Sequence, residues 1–130
     1  MSKYSLHEPL LKGSEKINIR KCVETGWLSP SGNFVNSFEK KLERFTGSNV
    51  ICCNSGTSAL HISLILAGVK KQDEVIVPTI TFIATVNVVL YCGASPIFMD
   101  CDESLCINIE KLLNFLKNNT YSIKKNTDNK

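Results

Sequence analysis

Val50-Ile51-Cys52-Cys53-Asn54-Ser55-Gly56-Thr57-Ser58-Ala59-Leu60-His61 carries an apolar run into a helix-length apolar segment through a small, hydroxyl-rich turn. Val50–Cys53 reads as a short buried strand, and the stretch from Thr57 to Ala67 is apolar enough for a helix packed on most sides. A strand that feeds a helix through such a turn leaves the first N–H groups of the helix without intrahelical partners. The positive end of the helix dipole lies behind them, so an anion such as a phosphate fits there. Gly56 lets the backbone approach a ligand closely, and Thr57 and Ser58 add hydroxyl donors. The turn has a second reading, in which Ser55 or Asn54 simply caps a core helix.

Working outward, the chain alternates helix and strand signals. Ser14 stands where it would cap a helix from Glu15 to about Glu24, ended by Thr25-Gly26, and Trp27 to Gly32 reads as a loop. Val35, Phe38, Leu42 and Phe45 recur at helical spacing. They predict an amphipathic helix that buries this stripe, leaves Glu39, Lys40, Glu43 and Arg44 in solvent and stops at Gly47. Beyond the Gly56 turn, Glu74–Pro78 is a second β-rich run. Phe82 to Tyr91 is a helix capped near Thr79 or Thr81 and stopped by Gly93, and Pro96–Asp100 is a third strand. Asn108 opens a last helix carrying Leu112, Leu113 and Leu116.

Strands separated by helix-length segments predict an α/β fold with parallel crossovers and helices on both sheet faces. Ligands of such sheets gather outside the carboxyl ends of the strands. Those ends carry Asn54-Ser55-Gly56-Thr57, then Pro78-Thr79-Ile80-Thr81-Phe82, then Asp100-Cys101-Asp102. An anion seat thus has for its neighbour an aromatic ring with hydroxyls around it, a pair suited to a flat, phosphorylated cofactor.

Composition narrows the function classes. A 130-residue chain with 43% hydrophobic and 21% charged residues has the mix of one globular domain or part of one. The net charge of +3 arises entirely beyond Leu116, since Lys, Arg, Asp and Glu balance at eleven of each sign before it. A basic groove for nucleic acid is therefore not expected. The six cysteines form no C-x-x-C pair, and Met1 to Glu8 is polar and unlike a secretory leader. Reduced, mostly buried thiols of a cytoplasmic protein are expected, with no metal site and no membrane span. His61 reads as a packed or hydrogen-bonded core residue.

Five blocks together resemble a known family. They are Gly26-Trp27-Leu28-Ser29 with Ser31-Gly32 and Phe38-Glu39; Ser55-Gly56-Thr57-Ser58-Ala59-Leu60; Asp73-Glu74-Val75-Ile76-Val77-Pro78; Thr81-Phe82-Ile83-Ala84-Thr85-Val86-Asn87; and Gly93 through Asp100. In order and spacing they resemble the N-terminal third of the DegT/DnrJ/StrS aminotransferases, from about Leu10 to Asn119. The resemblance implies a partial three-layer αβα parallel sheet, the N-terminal part of an aspartate-aminotransferase-type (fold type I) large domain over residues 1–119, with 120–130 as a disordered tail. It implies pyridoxal 5'-phosphate (PLP) as cofactor, a nucleotide-linked keto-sugar as substrate, glutamate as amino donor, a role in surface glycan synthesis and a homodimer at full length. By resemblance Gly56, Thr57 and Ser58 bind the cofactor phosphate and Phe82 stacks on the pyridine ring. Trp27 lies near the sugar, a position that also suits a packing anchor. Within the family the blocks look nearest to enzymes of the legionaminic-acid or bacillosamine type.

PLP transamination needs a lysine that binds the cofactor covalently and an acid paired with the pyridine nitrogen. No lysine of this chain stands in a serine-containing motif like the family's, and Asp100 and Asp102 match its strand-end acids. An N-terminal piece of a truncated or split gene product is expected, inactive alone, with an uncovered sheet edge and exposed apolar helix faces. The alternative is a non-catalytic phosphate-binding or oligomer-forming remnant.

Overall fold

The computed structural model describes residues 8–29 and 32–120. They fall into two compact units, Met1–Cys52 and Cys53–Lys130.

The first unit holds α1 (Glu15–Glu24) and α2 (Asn33–Thr46). α1 has the expected bounds, but the Ser14 side chain caps nothing. The Glu15 carboxylate instead reaches back to the Gly13 N–H at 2.8 Å. At the far end Gly26 takes a φ of 67°, its N–H donates to Val23 O, and the Trp27 N–H donates to Cys22 O. This is a Schellman closure, which satisfies the last helical carbonyls. α2 ends at Gly47 as its sequence predicts. Its apolar stripe is not buried, however, because the described residues of this unit include no strand for it to pack on. Val35 and Leu42 are half-buried, while Phe38 is exposed and Phe45 is 87% exposed.

The expected strand Val50–Cys53 joins no ladder. A strand exists only by pairing, and the Val50 and Cys52 N–H groups donate to the carboxylates of Glu43 and Glu39 on α2. Both acids are half-buried by this role, contrary to the expectation that they face solvent.

The second unit holds α3 (Gly56–Leu66), β1 (Glu74–Pro78), α4 (Ile83–Tyr91), β2 (Ser95–Met99) and α5 (Ile109–Asn119). β1 and β2 pair in parallel from Glu74↔Ser95 to Pro78↔Met99, with α4 as the crossover. Pro78 ends β1, where a missing donor costs no ladder bond. Thr79 N–H to Met99 O and Ser95 N–H to Asp73 O extend the pairing at 2.9 and 2.8 Å. β2 stops one residue short of its predicted end, and Asp100 instead forms an ion pair with Lys111. α4 is capped neither by Thr79 nor by Thr81. Its N-cap position is Phe82, and the Thr81 hydroxyl pairs with that of Thr85 at 2.9 Å.

Val77, Val89 and Ala94 form the core of this unit, with Leu64, Val69, Val75, Val86 and Cys92 packed around them. α4 lies against both strands, and α3 packs on α4. α3 and α4 close as α1 does: Gly68 and Gly93 take φ of 83° and 73°, and the Val69 and Ala94 N–H groups reach back to Leu64 O and Val89 O. In both, the residue after the glycine is apolar and joins the core, so the end of the helix and the start of the core are built together. α5 begins as predicted, with Asn108 Oδ1 accepting the Lys111 N–H at 2.9 Å. The expected tail lies, from residue 121, outside the described residues. Five cysteines are half-buried and Cys106 is exposed, all as free thiols, so the expectation of mostly buried thiols is corrected.

Candidate functional site

The start of α3 bears out the capping reading of its turn. Ser55 is the N-cap. Its Oγ accepts the Ser58 N–H at 3.2 Å and lies 3.0 Å from the Ser58 hydroxyl, while its carbonyl accepts the Ala59 N–H. The cap therefore uses one donor of the first turn. The N–H groups of Gly56 and Thr57 have no partner among the described residues. No acidic side chain stands in the first turn of α3 to offset its positive end. A Cβ built on Gly56 would meet nothing within 4 Å, and Gly56 has no positive φ, so neither packing nor backbone strain demands glycine there. Two free amides, open space and the Thr57 and Ser58 hydroxyls make a donor set that fits a phosphate group.

Phe82 lies at the start of the adjacent helix. It is 77% exposed, and its carbonyl accepts the Thr85 N–H at 3.0 Å. Its ring is therefore not packed into the core of the described residues. Burying a phenylalanine stabilises a protein by roughly 1.5–3 kcal/mol, a gain this ring does not collect from its own chain. Of the hydroxyls expected around it, that of Thr79 lies 3.8 Å from Cys101 Sγ and that of Thr81 is turned to Thr85. No ring contact or hydrogen bond links Phe82 to the α3 turn among the described residues.

Trp27 belongs to the first unit. Its indole stands over the Cα of Gly32 and, with Phe34, Val35, Lys21 and Ser37, lines a cleft of about 340 Å³. The ring is otherwise 56% exposed. His61 is half-buried, with its ring edge on Tyr91 at a centroid distance of 5.6 Å.

Beyond β2, Asp102 Oδ1 accepts the hydroxyl and the N–H of Ser104, and its own N–H donates to Cys106 O. The Ser104 hydroxyl, then the Ser104 and Cys106 backbone, hold the Asp102 carboxyl below its usual pKa. Sequence reasoning missed the roles of Glu39 and Glu43. Their partners lie 13 and 7 residues away, and only an i, i+4 acidic pair ahead of an apolar run hinted at them.

A parallel α/β unit with free amides at the start of a helix suits proteins that bind phosphorylated ligands. Comparison narrows that class. The model of the DegT/DnrJ/EryC1/StrS aminotransferase family matches residues 9–125, and the chain belongs to that family. It is 42% identical over 103 residues to GDP-perosamine synthase of Caulobacter vibrioides, a match covering 78% of this chain and 28% of that protein. Among solved structures it resembles a DegT DnrJ EryC1 StrS aminotransferase from Brucella abortus at 36% identity and a TM-score of 0.71, covering 82% of this chain and 30% of that one. It also resembles NtdA from Bacillus subtilis with bound cofactor PMP at 35% identity and a TM-score of 0.70, covering 76% and 23%. The chain thus spans about a third or less of the relatives it matches. The fold is that of a fold type I fragment, and the family's cofactor is PLP. The relative at 42% identity is named for perosamine, whereas the sequence blocks suggested legionaminic-acid or bacillosamine enzymes.

Proposed function

We propose that this chain supplies the cofactor-phosphate seat of a PLP-dependent aminotransferase that moves an amino group, from glutamate, to a nucleotide-linked keto-sugar in glycan biosynthesis. The observation that carries the reading is the pair of unpartnered N–H groups at Gly56 and Thr57 beside open space. Bound PLP supplies an electron sink for the carbon that bears the amino group. In this reading the Gly56 and Thr57 amides hold the phosphate dianion, and the Ser58 hydroxyl, oriented by Ser55, donates a further bond. Phe82 offers its exposed face to the ring, limits its contact with water and keeps it flat. Trp27 serves the sugar through the cleft beside Gly32. In this reading the working enzyme is a cytoplasmic homodimer. No helix among the described residues is long and apolar enough to cross a membrane.

Within the second unit, Lys70 and Lys71 follow the far end of α3, about 16 Å of helix from the seat at 1.5 Å per residue. Lys111 is engaged by Asp100. In this reading the 130-residue chain, none of whose lysines stands in a motif like the family's, transfers no amino group by itself. The same observation favours the second reading, a non-catalytic phosphate-binding remnant, which shares the seat but serves no aminotransferase.

A PLP titration followed by visible absorbance and borohydride reduction tests both. Phosphate-competed binding without a covalent product agrees with the proposal. No binding at all removes the seat, and a covalent product means that a lysine of this chain completes the site. Restored amino transfer on adding the rest of a relative's sequence separates the enzyme reading from the remnant.

A further inference from the structure

α2 sorts its charges by face. Asn33, Ser37 and Lys41 form one row at a spacing of four residues, and Asn36, Lys40 and Arg44 form a second row beside it. Residues three and four apart are neighbours on a helix surface, so the two rows make one strip, about 16 Å long at 1.5 Å per residue. All six residues are exposed, and together they line a hollow of about 320 Å³. Each brings a hydrogen-bond donor, and none of these side chains has a partner among the described residues.

The acids of the same helix are used elsewhere. Glu39 Oε1 accepts the Cys52 N–H at 2.8 Å, and Glu43 Oε1 accepts the Val50 N–H at 3.4 Å. The pair of Lys111 with Asp100 is the only ion pair among the described residues, so Lys40, Lys41 and Arg44 have no carboxylate partner there. The negative end of the helix dipole accounts for Arg44 in the last turn, but not for the turning of both acids to the backbone. At its other end the strip opens into the Trp27 cleft, since Asn33 and Ser37 line both hollows. A single phosphate group carries about two negative charges at most, fewer than the three cations here. Two linked phosphates spread more charge along the rows, where Arg44 offers a planar fork of donors and the lysines offer point charges.

We propose that the strip from Asn33 to Arg44 binds a diphosphate. Lys40, Lys41 and Arg44 take the phosphate oxygens, and the neutral donors Asn33, Asn36 and Ser37 take any hydroxylated group it carries. Free diphosphate and the diphosphate of a nucleotide present this chemistry alike. The strip lies within the first unit and uses no residue of the α3 turn, so its failure would leave the cofactor seat untouched.

The test is an NMR titration of the 130-residue chain with inorganic phosphate, inorganic diphosphate and GDP. Diphosphate and GDP should move the resonances of Asn36, Lys40, Lys41 and Arg44 and bind about tenfold or more tighter than phosphate. Tighter binding of GDP, with shifts reaching Asn33 and Ser37, supports the strip with a nucleotide as its ligand, and equal affinity supports it with free diphosphate. Lys40→Gln, Lys41→Gln and Arg44→Gln together should lower diphosphate affinity about tenfold or more and keep the circular dichroism, because all three side chains are exposed. Lys12→Gln, Lys16→Gln and Arg20→Gln together remove as many charges around α1 and should change the affinity by less than about twofold. No diphosphate binding, shifts confined to Gly56 and Thr57, phosphate bound as tightly as diphosphate, or equal losses from the two triple variants overturns the proposal.

Discussion

A methyl group placed on Gly32 would stand 2.4 Å from Cδ1 and 2.7 Å from Nε1 of Trp27. Nothing shifts cheaply there, because an indole is rigid and its ring edge has no flexible end to swing aside. Gly32→Ala should destabilise the first unit by about 1–3 kcal/mol, the usual cost of overpacking. Trp27 fluorescence should move to longer wavelength as the ring is pushed toward water. An unchanged spectrum and unfolding midpoint would show that the ring does not rest on Gly32.

Gly56 behaves in the opposite way. Its position is sterically open and has no positive φ, so Gly56→Ala should raise stability by up to about 1 kcal/mol through helix propensity. The same methyl would enter the seat and weaken phosphate or PLP binding. Denaturation and titration of one variant therefore give opposite signs, and a loss of both stability and binding would show that Gly56 is structural.

Ser55→Ala removes the acceptor of the Ser58 N–H. About 1 kcal/mol of stability should be lost, as for other N-caps, with faster amide exchange in the first turn of α3. An unchanged exchange rate at Ser58 would contradict the cap.

Phe82→Ala should change stability by less than about 1 kcal/mol, since the ring is already exposed, yet weaken PLP binding. Val88→Ala, at a side chain only 2% exposed, should cost about 2 kcal/mol. Equal destabilisation by the two variants would contradict the exposure of Phe82 and the burial of Val88.

The Asp102 carboxyl should titrate below the ordinary aspartate value of 3.8 in the folded chain, first because of the Ser104 hydroxyl. The folded pKa is lowered, so its contribution to stability is present above pH 3.8 and lost as pH falls through the folded value. Ser104→Ala should raise the Asp102 pKa, as read by carboxyl carbon NMR. No movement would remove Ser104 as the cause.

Helix bounds were largely legible in the sequence because their signals are local: an Asn cap at α5, and glycines after α1, α2 and α4. Where the answer depends on distant residues, local signals failed. Val50–Cys53 has strand composition but needs a ladder partner, and the periodic stripe of α2 needs a sheet to rest on. The hydroxyl-rich turn before the apolar run to Leu66 was legible as a capped helix start, because the cap and the first-turn amides it leaves free are set locally. The position of Phe82 in the chain could be read, but its exposure depends on what α4 packs against. Asp100–Lys111 bridges eleven residues and left no local trace.

α3 is apolar on every side and yet holds no buried residue, with Leu66 82% exposed. Unfolding such a helix wets little apolar surface that was dry before. Heat capacity change and denaturant sensitivity both scale with newly wetted surface. The melting curve of this chain should therefore be broad and its denaturant slope shallow for a polypeptide of its length, and both should sharpen when that helix is covered.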